Sequence, residues 1–218
     1  MLRLLSSLLV LLLIGCSDNT APLAVQEEAA PPVTSSAAET QRYNSWLDTE
    51  YQTEMDFSPL SKTQRGDKSA HGELDDVSEA FITEQLQWRR DSVARMQSEF
   101  EREALDEEAR RSWDLWEYQL QRAEFNLPFQ RHQFIFGRNG PQSKLPNSLI
   151  NYQEVSSEAD MEDYISRLQQ SRRYLGQYLT RAQLAAQDGI RAPYFDYERA
   201  ITEIDRVISG APFSEGDS

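Results

Sequence analysis

Few side chains in this sequence could do covalent or metal chemistry. It holds one cysteine, Cys16, and two histidines, His71 and His132. A zinc site needs converging ligands, commonly two histidines at i and i+4 of one helix with a third ligand elsewhere. His71 and His132 lie in different irregular segments without such spacing, and both read as exposed loop residues. Carboxylates crowd "HGELDDVSE", residues 71–79, with Glu73, Asp75, Asp76 and Glu79 near His71. That density could attract calcium, but the spacing does not fit a twelve-residue calcium loop. Acids just ahead of a helix are expected from its dipole alone. There is no glycine-rich phosphate loop, and no serine sits in a nucleophile elbow. No catalytic, cofactor-binding or metal-binding set can be read from residue types and spacing.

Cys16 has the clearest context. Arg3 precedes an apolar run from Leu4 to Ile14, broken only by Ser6 and Ser7. A permanent membrane helix needs roughly 20 apolar residues, so this run has the size of a signal-peptide core over residues 1–15. Leu13-Ile14-Gly15-Cys16 resembles the bacterial lipobox, in which the thiol takes a diacylglycerol and the freed amino group is acylated. Cys16 is then the lipid-attachment site. The alternative is an ordinary secretory signal with an incidental cysteine. Several acyl chains hold a protein where one would not, since each buried methylene adds about 0.8 kcal/mol. Ser17 after the anchor resembles the outer-membrane sorting pattern, with the body facing the periplasm.

Residues 17–38, "SDNTAPLAVQEEAAPPVTSSAA", contain no aromatic residue. They cannot bury enough apolar surface to offset ordering entropy. Residues 16–38 therefore read as lipidated cysteine plus flexible tether, about 25 Å from end to end as a loose coil. Every aromatic residue lies at Tyr43 or later, so 39–218 reads as the folded domain. The formal net charge is −14, and −15 once Arg3 is cleaved away. That sign argues against a nucleic-acid partner, which needs a basic face, and against electrostatic docking on anionic headgroups.

The elements that would carry any site are helical. Tyr43, Trp46, Leu47, Tyr51 and Met55 make one helical stripe. "SPLSKTQRGDKSAHGELDD", residues 58–76, reads as a long loop and a candidate binding element. Ser78 is an expected N-cap for a helix running to about Glu103. Asp106 opens another, striped by Trp113, Trp116, Leu120 and Ala123 and ended by Pro128. Residues 128–155 look irregular: "FQRHQFIFG" could be a short strand, and Gly137, Gly140, Pro141 and Pro146 oppose a long helix. Ser157 with Asp160 resembles a capping box for a helix striped by Met161, Tyr164, Ile165, Leu168, Leu175, Tyr178, Leu179 and Ala182. Gly189 and Ile190 suit a left-handed stop, and Pro193 starts a last helix with Tyr197, Ile201, Ile204 and Ile208. The expected class is all-α, about five long helices in a bundle-like array, with irregular connections near 58–77 and 128–156.

Four stretches together resemble a known family: "SPLSKTQRGD", "LDDVSEA", "KLPNSLINY" and "ADMEDYISRLQQSRRYLGQYLTRAQLAAQDGIRAPYF". In the last, Asp160, Tyr164, Arg167, Leu168, Gly189 and Pro193 match the pattern. From about Tyr43 to Phe213 the chain resembles the N-terminal part of the bacterial domain of unknown function 885, whose members are often lipoproteins. The resemblance implies a mostly helical body like zinc-dependent peptidases of the deep-channel type, with peptide as the substrate class. It places zinc on a motif of the HE-x-x-GH kind in the C-terminal half of the family. No residue here matches that motif, so the zinc and its ligands are implied only for a missing part, and the domain is expected to be incomplete.

Two functions remain open. The chain is the non-catalytic N-terminal wall of a lipid-anchored peptidase-like protein, or it is a stand-alone helical scaffold or peptide-binding lipoprotein. The first leaves apolar packing faces bare; in the second the stripes close on one another.

Overall fold

The computed structural model describes residues 33–209. Seven α-helices and no strand occur among the described residues. They are α1 (Val33–Asp56), α2 (Pro59–Gln64), α3 (Glu79–Glu99), α4 (Glu107–Asn126), α5 (Pro141–Asn151), α6 (Glu158–Gln187) and α7 (Tyr194–Ile208). The all-α class stands, with more helices than the periodicity suggests. Short 3₁₀ turns at Arg102–Ala104 and Leu127–Phe129 join or extend them.

Helix starts follow local chemistry. The hydroxyls of Ser58, Ser78 and Ser157 and the carboxylate of Asp106 accept the backbone N–H three residues on. These caps satisfy donors that a helix N-terminus leaves open. At the end of α6, Gly189 takes φ +83°, and Ile190 N–H closes on Ala185 O at 2.9 Å. That is the left-handed stop the residue types predict.

Boundaries differ from the sequence reading in four places. α1 begins at Val33, so residues 33–38, assigned above to the tether, are helical. α3 ends at Glu99 rather than near Glu103, where Phe100 turns extended. The 58–76 loop contains α2, which Pro59 starts from its first-turn position. The 128–155 stretch contains α5 and no strand. Pro141 opens α5 and Pro146 sits inside it, sacrificing one backbone bond in a helix only 11 residues long.

Two buried clusters hold the body. Tyr43 of α1, Val93 and Met96 of α3, and Trp113 and Trp116 of α4 form the first, with Phe100, Leu105 and Ala109. Tyr43 lies at its centre, edge-on to Phe100 at 5.4 Å and stacked on Trp113 at 6.0 Å. The second joins Leu60 of α2, Leu74, Leu145 and Leu149 of α5, and Tyr174 of α6. Arg131 ties the two regions, pairing with Glu79 of α3 and with Asp188 after α6.

Candidate functional site

α6 has two working faces. On one, polar side chains spaced three or four apart bind the main chain of residues 70–77. Ser166 Oγ and Gln170 Nε2 donate to Gly72 O at 2.9 and 2.7 Å. Leu74 N–H donates to Gln170 Oε1 and Val77 N–H to Gln177 Oε1. Arg173 donates to Leu74 O at 2.7 Å, and Arg181 to Val77 O at 3.2 Å. A segment without its own ladder thus has its amides satisfied by a helix face.

Arg167 is the centre of this clasp and has no solvent exposure. Nε donates to Glu73 O at 2.8 Å and Nη1 to Gln153 Oε1 at 3.2 Å. Nη2 reaches Thr63 Oγ1 at 2.7 Å, Ala70 O at 3.1 Å and Pro59 O at 3.3 Å. Burial lowers its pKa, opposed by the charges of Asp75, Asp163 and Glu73. One guanidinium therefore joins α2, the 70–77 segment and the connection before α6. Sequence reasoning found Arg167 only through the family pattern. The physical signal was there in Ser166, Arg167, Gln170, Arg173 and Gln177, a polar stripe at helical spacing that looks like an ordinary solvated face.

The residues singled out above do not converge. His71 is buried, contrary to expectation, with Gln153 and Glu154 bonded to it from more than eighty positions away. Its Nε2 lies 3.1 Å from Glu154 O, and Nδ1 has no protein partner. His132 is exposed, its ring edge-on to Phe129. The acidic residues have separate duties. Asp75 accepts from Ser58 Oγ and Leu60 N–H, and burial raises its pKa against those donors. Asp76 accepts from Ser78 N–H and Gln177 Nε2, and Glu79 pairs with Arg131. Among the described residues no three His, Cys, Asp or Glu side chains gather as a metal set. They do not fit the zinc that the family resemblance implies, and no chemical step is derived through it. Cys16 lies outside the described residues.

The other face of α6 is apolar. With α5 and α7 it lines an open groove of about 1090 Å³. Leu145 and Leu149 from α5, Leu168, Leu175 and Leu179 from α6, and Ile201 and Ile204 from α7 form much of its wall. Several of these are widely exposed: Leu179 is 50% and Ile201 is 59% accessible. Among the described residues these stripes are left uncovered. A second cavity of about 420 Å³, between α1, α3 and α4, is lined by Glu54, Trp88, Arg89 and Gln130 among others. Arg89 pairs with Glu54 there.

The groove-forming helices and the clasp all lie within one matched region. No curated protein and no solved structure matches the chain. A family model does match, over residues 59–218, and the chain belongs to the family it describes, bacterial protein of unknown function (DUF885).

Proposed function

We propose that this chain is a lipid-anchored envelope protein serving as a non-catalytic helical wall of a metal-dependent, peptidase-like assembly. Cys16 carries the lipid, and Ser17 favours the outer membrane with the body facing the periplasm. Zinc and peptide substrate enter through the family resemblance, and zinc belongs to another part of the assembly. The observation that carries this reading is the α5–α6–α7 groove, uncovered among the described residues. Ile150, Leu168, Leu179, Ile201, Val207 and Ile208 line that face and are each about half or more exposed, which favours association over a self-contained domain. The stand-alone scaffold reading predicts closed stripes, and the exposure of Leu168, Leu179 and Ile201 counts against it.

The test is the native size of the protein in its own membrane fraction, detected with an antibody to residues 39–218. The expected result is a species well above the 25.1 kDa of the chain. Migration at the size of the acylated chain alone overturns the assembly.

A further inference from the structure

The second cavity, of about 420 Å³, falls in the range of small-molecule sites, roughly 300–1,000 Å³. It shares no lining residue with the α5–α6–α7 groove. Phe57, Ile82, Leu86, Trp88 and Leu127 give it an apolar wall, and the rings of Phe57 and Trp88 meet edge to face at 5.1 Å. Its charged side chains are already engaged. Glu54 pairs with Arg89, which also donates to Gln119 and lies over the rings of Trp88 and Trp116. Arg181 donates to Val77 O and lies over the Tyr178 ring.

Amides are what the cavity has to spare. Gln85, Gln130 and Gln133 line it, and none makes a side-chain hydrogen bond among the described residues. Gln130 Oε1 is shut from solvent with no partner, a condition that costs about 1–3 kcal/mol. The terminal torsion of glutamine is soft, so a small turn presents that oxygen to the cavity.

Elsewhere in this chain glutamines bind main chain. Gln170 donates to Gly72 O and accepts from Leu74 N–H. Gln177 accepts from Val77 N–H, and Gln153 donates to His71 O. Each satisfies backbone groups of a segment that has no ladder of its own. The glutamines of the cavity have the same chemistry and no such segment to meet.

We propose that the cavity binds a secondary amide flanked by an aliphatic side chain, the unit of a peptide main chain. The amide N–H donates to Gln130 Oε1, Gln85 and Gln133 serve its carbonyl, and the side chain packs on Phe57, Ile82 and Trp88. The site does not depend on the assembly proposed above.

The experiment uses the full lipidated chain in lipid nanodiscs, with empty nanodiscs as reference, and saturation-transfer NMR. The probe is N-acetyl-leucyl-leucine dimethylamide, which has two secondary amides. Two depsipeptides each carry an ester oxygen in place of one of those N–H groups. Saturable binding of the peptide, with one depsipeptide weaker by roughly tenfold, supports the proposal. Gln130→Leu should weaken the peptide by a similar factor and leave that depsipeptide unchanged. Ile82→Trp, which fills the cavity, should abolish binding of all three. The comparison of probes is made on the wild-type chain, so it stands whatever Ile82→Trp does to folding.

Absence of saturable binding, or equal binding of the three probes, overturns the site. So does a Gln130→Leu chain that weakens peptide and depsipeptide alike, since the loss is then one of shape and not of an acceptor. Binding that Leu179→Glu abolishes and Ile82→Trp spares lies in the α5–α6–α7 groove, and that result also overturns it.

Discussion

Arg167 Nη2 donates to the hydroxyl of Thr63 across 2.7 Å, joining α6 to α2 over 104 positions of sequence. The same nitrogen also reaches Pro59 O and Ala70 O, so it fixes both ends of the segment that runs from α2 into the clasp. α6 is therefore a two-sided element. Its polar face is occupied within the chain, and its apolar face lines a groove with α5 and α7.

Replacing Arg167 should be among the most damaging changes in the body. Arg167→Ala leaves five acceptors in a site with no solvent access. Disrupting a buried charged network of this kind costs about 3–5 kcal/mol. Arg167→Lys keeps the charge but has three donors on a flexible stem in place of a planar fork, and should still lose about 1–3 kcal/mol. Urea unfolding followed by circular dichroism reads both. A loss under about 1 kcal/mol for Arg167→Ala contradicts the assigned role.

Local rules were legible in the residues, and non-local ones were not. Ser78, Asp106, Ser157 and Gly189 announce helix ends because a cap is settled within three or four residues. The burial of His71 is settled by Glu154 and Gln153, more than eighty positions away, so nothing near His71 signals it. Pro146 misleads for a related reason. A proline costs a helix one bond, and burial of Leu145 and Leu149 in the second cluster offsets that loss. The open groove was hidden by the same periodicity that predicts the helices. Leu168 and Leu179 repeat as core residues do, and spacing alone cannot say whether a covering helix is present.

Acid should weaken the fold partly through Asp160. Its carboxylate accepts from Ser156 N–H at 3.0 Å and from Lys68 Nζ at 3.0 Å. The Ser156 backbone bond first, then Lys68, hold its pKa well below the usual aspartate range. A folded-state pKa below the unfolded value of about 3.9 contributes stability that is present above that value and lost as pH falls towards the folded one. The stability gap between wild type and Asp160→Asn should be full at pH 7 and narrow below about pH 4. Urea midpoints across that range check it, and a constant gap contradicts it.

Ser92 and Trp116 should be coupled. Trp116 Nε1 donates to Ser92 Oγ at 3.0 Å, and Ser92 has no exposure. Ser92→Ala leaves the indole N–H buried without a partner, at a cost of about 1–3 kcal/mol. In the double variant with Trp116→Phe that orphaned donor is gone, so the combined loss should fall short of the two single losses added together. A double-mutant cycle in urea measures the difference.

Cys16→Ser should release the protein from membranes. On the proposed lipid anchor the variant has no thiol to take a diacylglycerol, and each lost methylene should remove about 0.8 kcal/mol of membrane affinity. Labelling cells with radioactive palmitate should mark the wild type and leave the variant unlabelled. Label retained by the variant overturns the anchor.

Neighbouring residues of α5 should separate core from groove. Both line the groove, but Leu149 is 6% accessible and packs in the second cluster, whereas Ile150 is 73% accessible. Leu149→Ala removes buried methyl groups and opens a cavity, which costs about 2–5 kcal/mol. Ile150→Ala removes a similar volume from an open face and should change stability by no more than about 0.5 kcal/mol. If Ile150→Ala proves as damaging as Leu149→Ala in thermal or urea unfolding, that position is covered in the native protein.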